Sequence, residues 1–555
     1  MTSQPMTMNR RCERQRRTRG AVAVVLAGLL AVALAACTGG PSSPSALPYT
    51  LHVLASSELA DMTPILDQAQ AATGVKVDLK LTGSLTGAQD VIDGTAQRSY
   101  DAVWFASDNY LDLYPNGPAK LNGTTDIMAS PVILGVRSSV ADRLGWNHGQ
   151  VTWADVAQAA IERKFTFGMT TPAESNSGLS ALVAVSTVIA GNGAALQYSE
   201  IPAAEPELSG MFRAQQITAP TSGTLTQEYL DALKNPRRYP LPDGLIDYES
   251  QLLTLQAEAP RDNPITLIYP ADGVLEATYP FSLLASAPPA ARSAYQHLVS
   301  YLTSVPVQRQ IMLVTHRRPI AGTIPLAPDL AGHQLIELPF PAAAKTVQRL
   351  ISDYNGKLRT ADRTIYALDI SGSMRGARLT ALKQALLALT GVDTTLVGQL
   401  SAFRTREEIT FLPFGTTPGP PAVYNLPSAD DQPVLARMRA YINSLHVHGH
   451  TAIYDALIDA SQIMARQNAA DPGRIQSIVL LTDGENNTGR DLAQFLAYDR
   501  SLPEGSPPVY TIAFGQADLE PLAEVAYATN GTAFDAVGQP VSTLNTIFDQ
   551  IRGYQ

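Results

Sequence analysis

The chain has 555 residues, too many for one ordinary hydrophobic core, and its length favours two to four domains. At 45% apolar and 16% charged it has a globular composition, and 50 acidic against 40 basic residues give a formal charge of −10, which argues against nucleic acid as a partner. Two cysteines, Cys12 and Cys37, leave no material for a disulfide framework or a thiolate metal site.

The N-terminal stretch "NRRCERQRRTRG" carries six Arg and one Glu, and an apolar run from Ala21 to Ala36 follows. Sixteen residues are short for a membrane span, and "TGGPSSPS" follows in place of a stop-transfer charge cluster. A basic start, a short apolar run and small residues predict a secretory signal over residues 1–36. The ending Leu34-Ala35-Ala36-Cys37 resembles the lipobox of bacterial lipoproteins. That resemblance implies that Cys37 becomes the lipidated first residue, anchored at the extracytoplasmic face of the cell membrane. Cleavage would also remove Cys12 and leave 34 basic against 49 acidic residues, formally −15.

After a flexible linker over 37–47 the chain enters a strand–helix rhythm. "YTLHVLA" alternates as a strand, "SSELADMTPILDQAQAATG" reads as a helix, "VKVDLKL" as a strand, "TGAQDVIDGTAQ" as a helix and "YDAVWFAS" as a strand. Such alternation predicts a parallel sheet. Further on, "AARSAYQHLVSYLTSVPVQRQIM" has the spacing of one amphipathic helix.

The order "VLASSEL", "KLTGSLTG", "DAVWFASDNYLD", with "FTFGMTTPAESNSGLSAL" and "ITLIYPADG" later, resembles type II periplasmic solute-binding proteins over residues 48–340. The resemblance implies a two-lobed α/β domain whose cleft holds a small solute against hydroxyls and backbone N–H groups at strand ends. The matching positions are Ser56, Ser57, Thr82, Ser84, Ser107, Ser177, Tyr248 and Tyr269. Each serine also fits a helix cap.

A Pro-, Ala- and Gly-rich stretch ends this half, and "AKTVQRLISDYNGKL" within a linker at 341–360 reads as a helix. A second α/β rhythm fills 361–555: "RTIYALDI" a strand, "GARLTALKQALLALT" a helix, "EEITFLPFG" a strand, "TAIYDALIDASQIMARQ" a helix, "QSIVLLTDGENN" a buried strand into a loop, "PPVYTIAFG" a strand, and "LEPLAEVAYATNG" a helix closed by Gly531. Open α/β sheets carry their functional residues at the carboxyl ends of strands. Asp369, Ser371 and Ser373 follow the first of these strands, Thr451 follows the loop "HVHGH", and Asp483 ends "IVLLTD". Carboxylates and hydroxyls without cysteine are a hard-cation donor set, suited to Mg²⁺ or Mn²⁺ before zinc.

The pattern D-x-S-x-S, then Thr, then Asp in "LLTDG", resembles the metal-ion-dependent adhesion site of von Willebrand factor type A domains. It implies a doubly wound, Rossmann-like fold and one divalent cation, Mg²⁺ with Mn²⁺ or Ca²⁺ as alternatives. Asp369, Ser371, Ser373, Thr451 and Asp483 would hold it, and a protein partner would present an acidic side chain to it. Where that family usually has two glycines before the threonine, this chain has "HGHT", and His446, His448 and His450 alternate in a way that could serve a second metal. No G-x-S-x-G elbow, HExxH or P-loop is present, so the chain reads as a binding protein and not an enzyme. The expected function is metal-dependent protein engagement in adhesion, envelope assembly or sensing. The alternative is a transport receptor that uses its second half for docking.

Overall fold

The computed structural model describes residues 48–147, 149–191, 193–234, 241–392, 398, 402–502, 507–515, 517–539 and 541–554. The signal segment, Cys37 and the linker to residue 47 lie outside them.

The first half is two-lobed. One lobe holds five strands in the order Val75–Thr82, Tyr49–Ser56, Ala102–Trp104, Pro280–Leu284, Leu121–Asp126. The first three run parallel, as the strand–helix rhythm predicts. Pro280–Leu284 returns from the other lobe and lies antiparallel to both neighbours, so the sheet is mixed. The second lobe is built around Met128–Arg137, which is buried almost throughout and pairs with Gly244–Tyr248, Ile265–Ile268, Glu276–Ala277 and Arg318–Pro319. Phe167–Thr170 and Gln215–Ala219 extend this sheet beyond Gly244–Tyr248. The chain crosses between lobes after Asp126 and again after Ala277.

The expected single late helix is two, Pro289–Leu302 and Val305–Thr315. Pro306 has no N–H to continue the first helix, and it sits where the first turn of the second needs none. The segment read as a linker is helical over Ala344–Asp353 and is packed into the body of the first half. Val347, Leu350, Ile351, Tyr354 and Leu358 belong to its core, where the Tyr354 ring meets Phe212 edge-on at 5.4 Å and its hydroxyl donates to Gln215 Oε1 at 2.8 Å.

The second half is one sheet of six strands in the order Ala422–Leu426, Glu407–Phe414, Asp362–Asp369, Ile475–Thr482, Val509–Phe514, Ala533–Ala536. All pairs are parallel except the first. Its central strand is covered on both faces, which is why it reads as a continuous apolar run. Tyr366 and Leu368 enter one core under helices Ala377–Leu387, Gln432–Ser444 and Val541–Tyr554; Ile365 and Ala367 enter the other under Ile453–Ala470 and Leu519–Ala528. At the opposite end from the functional loops, Arg552 grips Glu407 through two bonds of 2.6 and 2.8 Å and Arg363 grips Glu408 at 2.8 and 3.2 Å.

The helix expected to close on Gly531 ends instead at Leu519–Ala528, and the left-handed residue is Asn530, at φ 63°. Gly531 serves a close approach: a Cβ there would stand 2.0 Å from the Val509 carbonyl oxygen.

Candidate functional site

Three loops at the carboxyl end of the second sheet meet. Asp369 ends its strand, and its Oδ1 accepts the Ser371 backbone N–H at 2.8 Å, which folds the chain back in a tight turn. Ser371 Oγ and Ser373 Oγ lie 2.8 Å apart, and Ser373 Oγ donates to Asp483 Oδ1 at 2.8 Å. The point where a Gly484 Cβ would sit is 3.3 Å from Ser373 Oγ and 4.0 Å from Thr451 Oγ1, so the threonine joins the same group. Asp369, Ser371, Thr451 and Asp483 are buried and Ser373 is exposed, so the cluster opens to solvent on one side.

The threonine loop is pinned from several directions. Gly372 N donates to Gly449 O at 3.1 Å, and His448 N to Ile370 O at 2.8 Å. Thr451 N donates to Asn487 Oδ1 at 2.8 Å, and His450 N to Thr416 Oγ1 at 3.0 Å. The rings of His446, His448 and His450 are exposed, and among the described residues no three His, Cys, Asp or Glu side chains gather as a metal-holding group. The geometry therefore gives a second metal at these histidines no support.

Burial raises the Asp369 carboxyl above its ordinary range, opposed by hydrogen bonds from Thr482 and Ser371. Thr482 Oγ1 reaches Asp369 Oδ2 at 2.7 Å, and the Arg378 guanidinium contacts Asp483 Oδ2 and donates to the Ser373 carbonyl at 3.2 Å. Sequence reasoning passed over both. Thr482 precedes Asp483 directly, whereas Arg378 is one of many arginines and only its helix start marks it.

In the first half most of the predicted solute hydroxyls hydrogen-bond within the protein. Ser56 Oγ pairs with Ser84 Oγ at 2.6 Å and accepts Ala106 N–H at 2.9 Å. Ser177 Oγ lies 2.8 Å from both Thr170 Oγ1 and Ser222 Oγ. Ser107 Oγ accepts Asn109 N–H at 3.1 Å, and Ser57 Oγ donates to Glu58 Oε2 at 3.3 Å. Thr82, half-buried, ends its strand beside Ser56. Tyr248 is buried where the lobes meet and its hydroxyl accepts from Asn176 Nδ2 at 3.1 Å. Tyr269 stands apart from this group: it donates to Glu249 Oε1 at 2.6 Å, stacks on His333, and Glu249 in turn holds Arg318. The lobes touch directly where Leu85 N donates to Glu174 O at 3.0 Å, a contact that Gly83 permits because its Cβ would fall 2.5 Å from that oxygen.

Comparison with protein families matches residues 51–312 to the bacterial extracellular solute-binding proteins and residues 365–550 to the von Willebrand factor type A domain. The chain joins a solute-binding domain to a von Willebrand factor type A domain. Among curated proteins, inter-alpha-trypsin inhibitor heavy chain H3 of Mesocricetus auratus is 28% identical over 157 residues, 27% of this chain, and the match spans only 16% of that relative's length. Among solved structures, the periplasmic binding protein AfuA of Actinobacillus pleuropneumoniae is 14% identical with a TM-score of 0.41, covering 55% of this chain and 97% of that one. A von Willebrand factor type A structure from Catenulispora acidiphila is 21% identical with a TM-score of 0.28, covering 35% of this chain and 42% of that one. Both domains are of binding type, and the first belongs to an extracellular family. Among the described residues no helix is long and apolar enough to cross a membrane.

Proposed function

We propose that this chain is an extracytoplasmic, lipid-anchored binding protein that engages a protein partner through one divalent cation at Asp369, Ser371, Ser373, Thr451 and Asp483. The supporting observation is the convergence of these oxygens from three loops, with two carboxylates among them and no sulfur or imidazole. Such a donor set fits Mg²⁺ best and admits Mn²⁺ or Ca²⁺. A bound cation would supply a positive centre for a carboxylate of the partner. Two anionic protein groups, one of them already paired with Arg378, leave that centre electron-poor. Attachment to the membrane through Cys37 follows from the lipobox resemblance.

Titrating the chain with Mg²⁺ by calorimetry, for wild type and Asp369→Ala, tests the cation. Capture from the producing cell's envelope with Mg²⁺, with EDTA and with the variant tests the partner. A protein retained only by wild type with Mg²⁺ supports the proposal. Equal capture in all three lanes, or no heat on Mg²⁺ addition, refutes it.

A second reading, a solute receptor with the von Willebrand domain as a docking module, is favoured by one observation. Where the lobes meet, Glu58 Oε1 and Asp61 Oδ1 are buried without a hydrogen-bond partner. Buried polar atoms of this kind are costly unless something meets them.

A further inference from the structure

The two halves are joined by more than a tether. Tyr354, at the end of helix Ala344–Asp353, is fully buried against Phe212 and Gln215 of the second lobe. Arg349 donates to the Tyr198 hydroxyl and Lys357 to Glu205 Oε2, each at 3.3 Å, so the same segment also grips that lobe at its surface. From the other side, Arg406 of the von Willebrand domain donates Nε to the Gly356 carbonyl and Nη2 to the Arg359 carbonyl, both at 2.8 Å. The last helix, Val541–Tyr554, lies directly on the second lobe: a Cβ at Gly553 would stand 2.7 Å from Pro220 Cβ and 2.8 Å from Glu174 Oε1. Second lobe, connecting helix and von Willebrand domain are packed together.

The first lobe meets them through thinner contacts. Gln348 Nε2 donates to the Tyr114 hydroxyl at 2.9 Å on an exposed surface, and Leu85 N donates to Glu174 O at 3.0 Å. Gln348 also lines a cavity of about 290 Å³, with Tyr110 of the first lobe facing Ser352, Asn355 and Thr405. Asn355 Oδ1 there is buried without a hydrogen-bond partner. Packed protein interiors leave few voids of that size, so this junction has the character of a parting surface. Where the chain itself crosses between lobes the contacts are buried and charged instead. Arg317, beside the Arg318–Pro319 strand of the second lobe, gives Nη1 to Asp61 Oδ2 at 2.6 Å and Nη2 to the Glu58 carbonyl at 3.2 Å. Asp247, Tyr248 and Tyr279 complete this seam with Glu58.

We propose that the first lobe moves alone, pivoting at the Arg317 seam, against a single body made of the second lobe, the connecting helix and the von Willebrand domain. The contacts that part are Leu85–Glu174 and Gln348–Tyr114, two hydrogen bonds whose loss costs little beside the buried seam. Glu174 stands at the junction of all three parts: its carbonyl holds the first lobe and its carboxylate abuts Gly553. The Asp369–Asp483 cluster lies at the end of its sheet away from Arg552, so it stays open on the larger body. Movement of the first lobe is then also movement against any partner held at that cluster.

Spin-label distances in the full chain test this. Cys12 and Cys37 are its two cysteines, and Cys12→Ser with Cys37→Ser clears the background. Exposed alanines take labels in pairs: Ala71→Cys on the first lobe, Ala203→Cys on the second and Ala469→Cys on the von Willebrand domain. Gly83→Val supplies the wedge, because a Cβ there falls 2.5 Å from Glu174 O. The 203–469 distance is expected to be narrow and to stay fixed in the wedged chain. The 71–203 and 71–469 distances are both expected to shift or split. Gly83→Ala places a Cβ at the same point and carries the test if circular dichroism shows that the valine variant does not fold. A broad 203–469 distribution, or one that moves with the wedge, overturns the single body. Three distances unmoved by the wedge, or a shift in 71–203 alone, overturn the motion of the first lobe against it.

Discussion

Gly449→Ala is the sharpest probe of how the adhesion-type site is held. Gly449 sits at φ 75°, and a side chain there costs about 1 kcal/mol from the backbone alone. Its Cβ would also stand 2.4 Å from Thr416 Oγ1 and 3.0 Å from Thr416 N, so that loop must move. Thr416 Oγ1 accepts the His450 N–H at 3.0 Å, and losing that bond adds about 1 kcal/mol. The Gly449 carbonyl accepts from Gly372 N, which carries the disturbance into the Asp369–Ser373 turn. The combined effect is about 2–3 kcal/mol, or roughly 30- to 150-fold in a binding constant. The loop is exposed and adds little to the core, so the effect should fall on cation affinity more than on global stability. Calorimetry with Mg²⁺ and urea unfolding in EDTA, on both proteins, separate the two. A variant that binds Mg²⁺ within two-fold of wild type would refute the claim that this backbone positions Thr451.

Arg378→Gln removes a cation from Asp483 and should tighten Mg²⁺ several-fold at low salt, with the difference shrinking at high salt; an unchanged or weaker affinity counts against a counter-charge role. Glu407→Ala strands the buried Arg552 guanidinium and should cost about 3–5 kcal/mol in urea unfolding, whereas a loss under 1 kcal/mol would mean the pair contributes little. Glu58 has a folded pKa of about 7, raised by burial, so ionisation costs wild type stability as pH climbs from about 4.5 to 7. Without ligand, Glu58→Gln should match wild type near pH 4 and exceed it by about 1–3 kcal/mol at pH 8, read as a difference in melting temperature that grows with pH.

Much of the second half was legible because its signals are local. Asp369, Ser371 and Ser373 lie within five residues on one turn, and the strand before them runs apolar from Ile365 to Leu368 because both its faces are covered. Thr482 and Arg378 were missed because their roles depend on neighbours that the chain brings back from elsewhere: Thr482 meets Asp369, and Arg378 meets Asp483, each across more than a hundred positions. In the first half the serines at strand ends were conspicuous, yet their hydroxyls serve each other and nearby backbone. Pro306 shows the reverse case, where a residue visible in the sequence split a helix that spacing alone had joined.

The sequence by itself determined the α/β alternation of both domains and placed Asp369, Ser371, Ser373, Thr451 and Asp483 at loop positions, oxygen side chains of the kind that suit a hard cation. Those follow from side-chain type, short spacing and turn preference, which act within a few residues. Only the tertiary structure decided that the helical segment around Tyr354 packs into the core of the first half, and that Glu58, Asp247, Tyr248, Tyr279 and Arg317 share one buried seam. These residues come from segments as far apart as positions 58 and 317, and the cost of burying charge depends on which groups the fold finally sets around it.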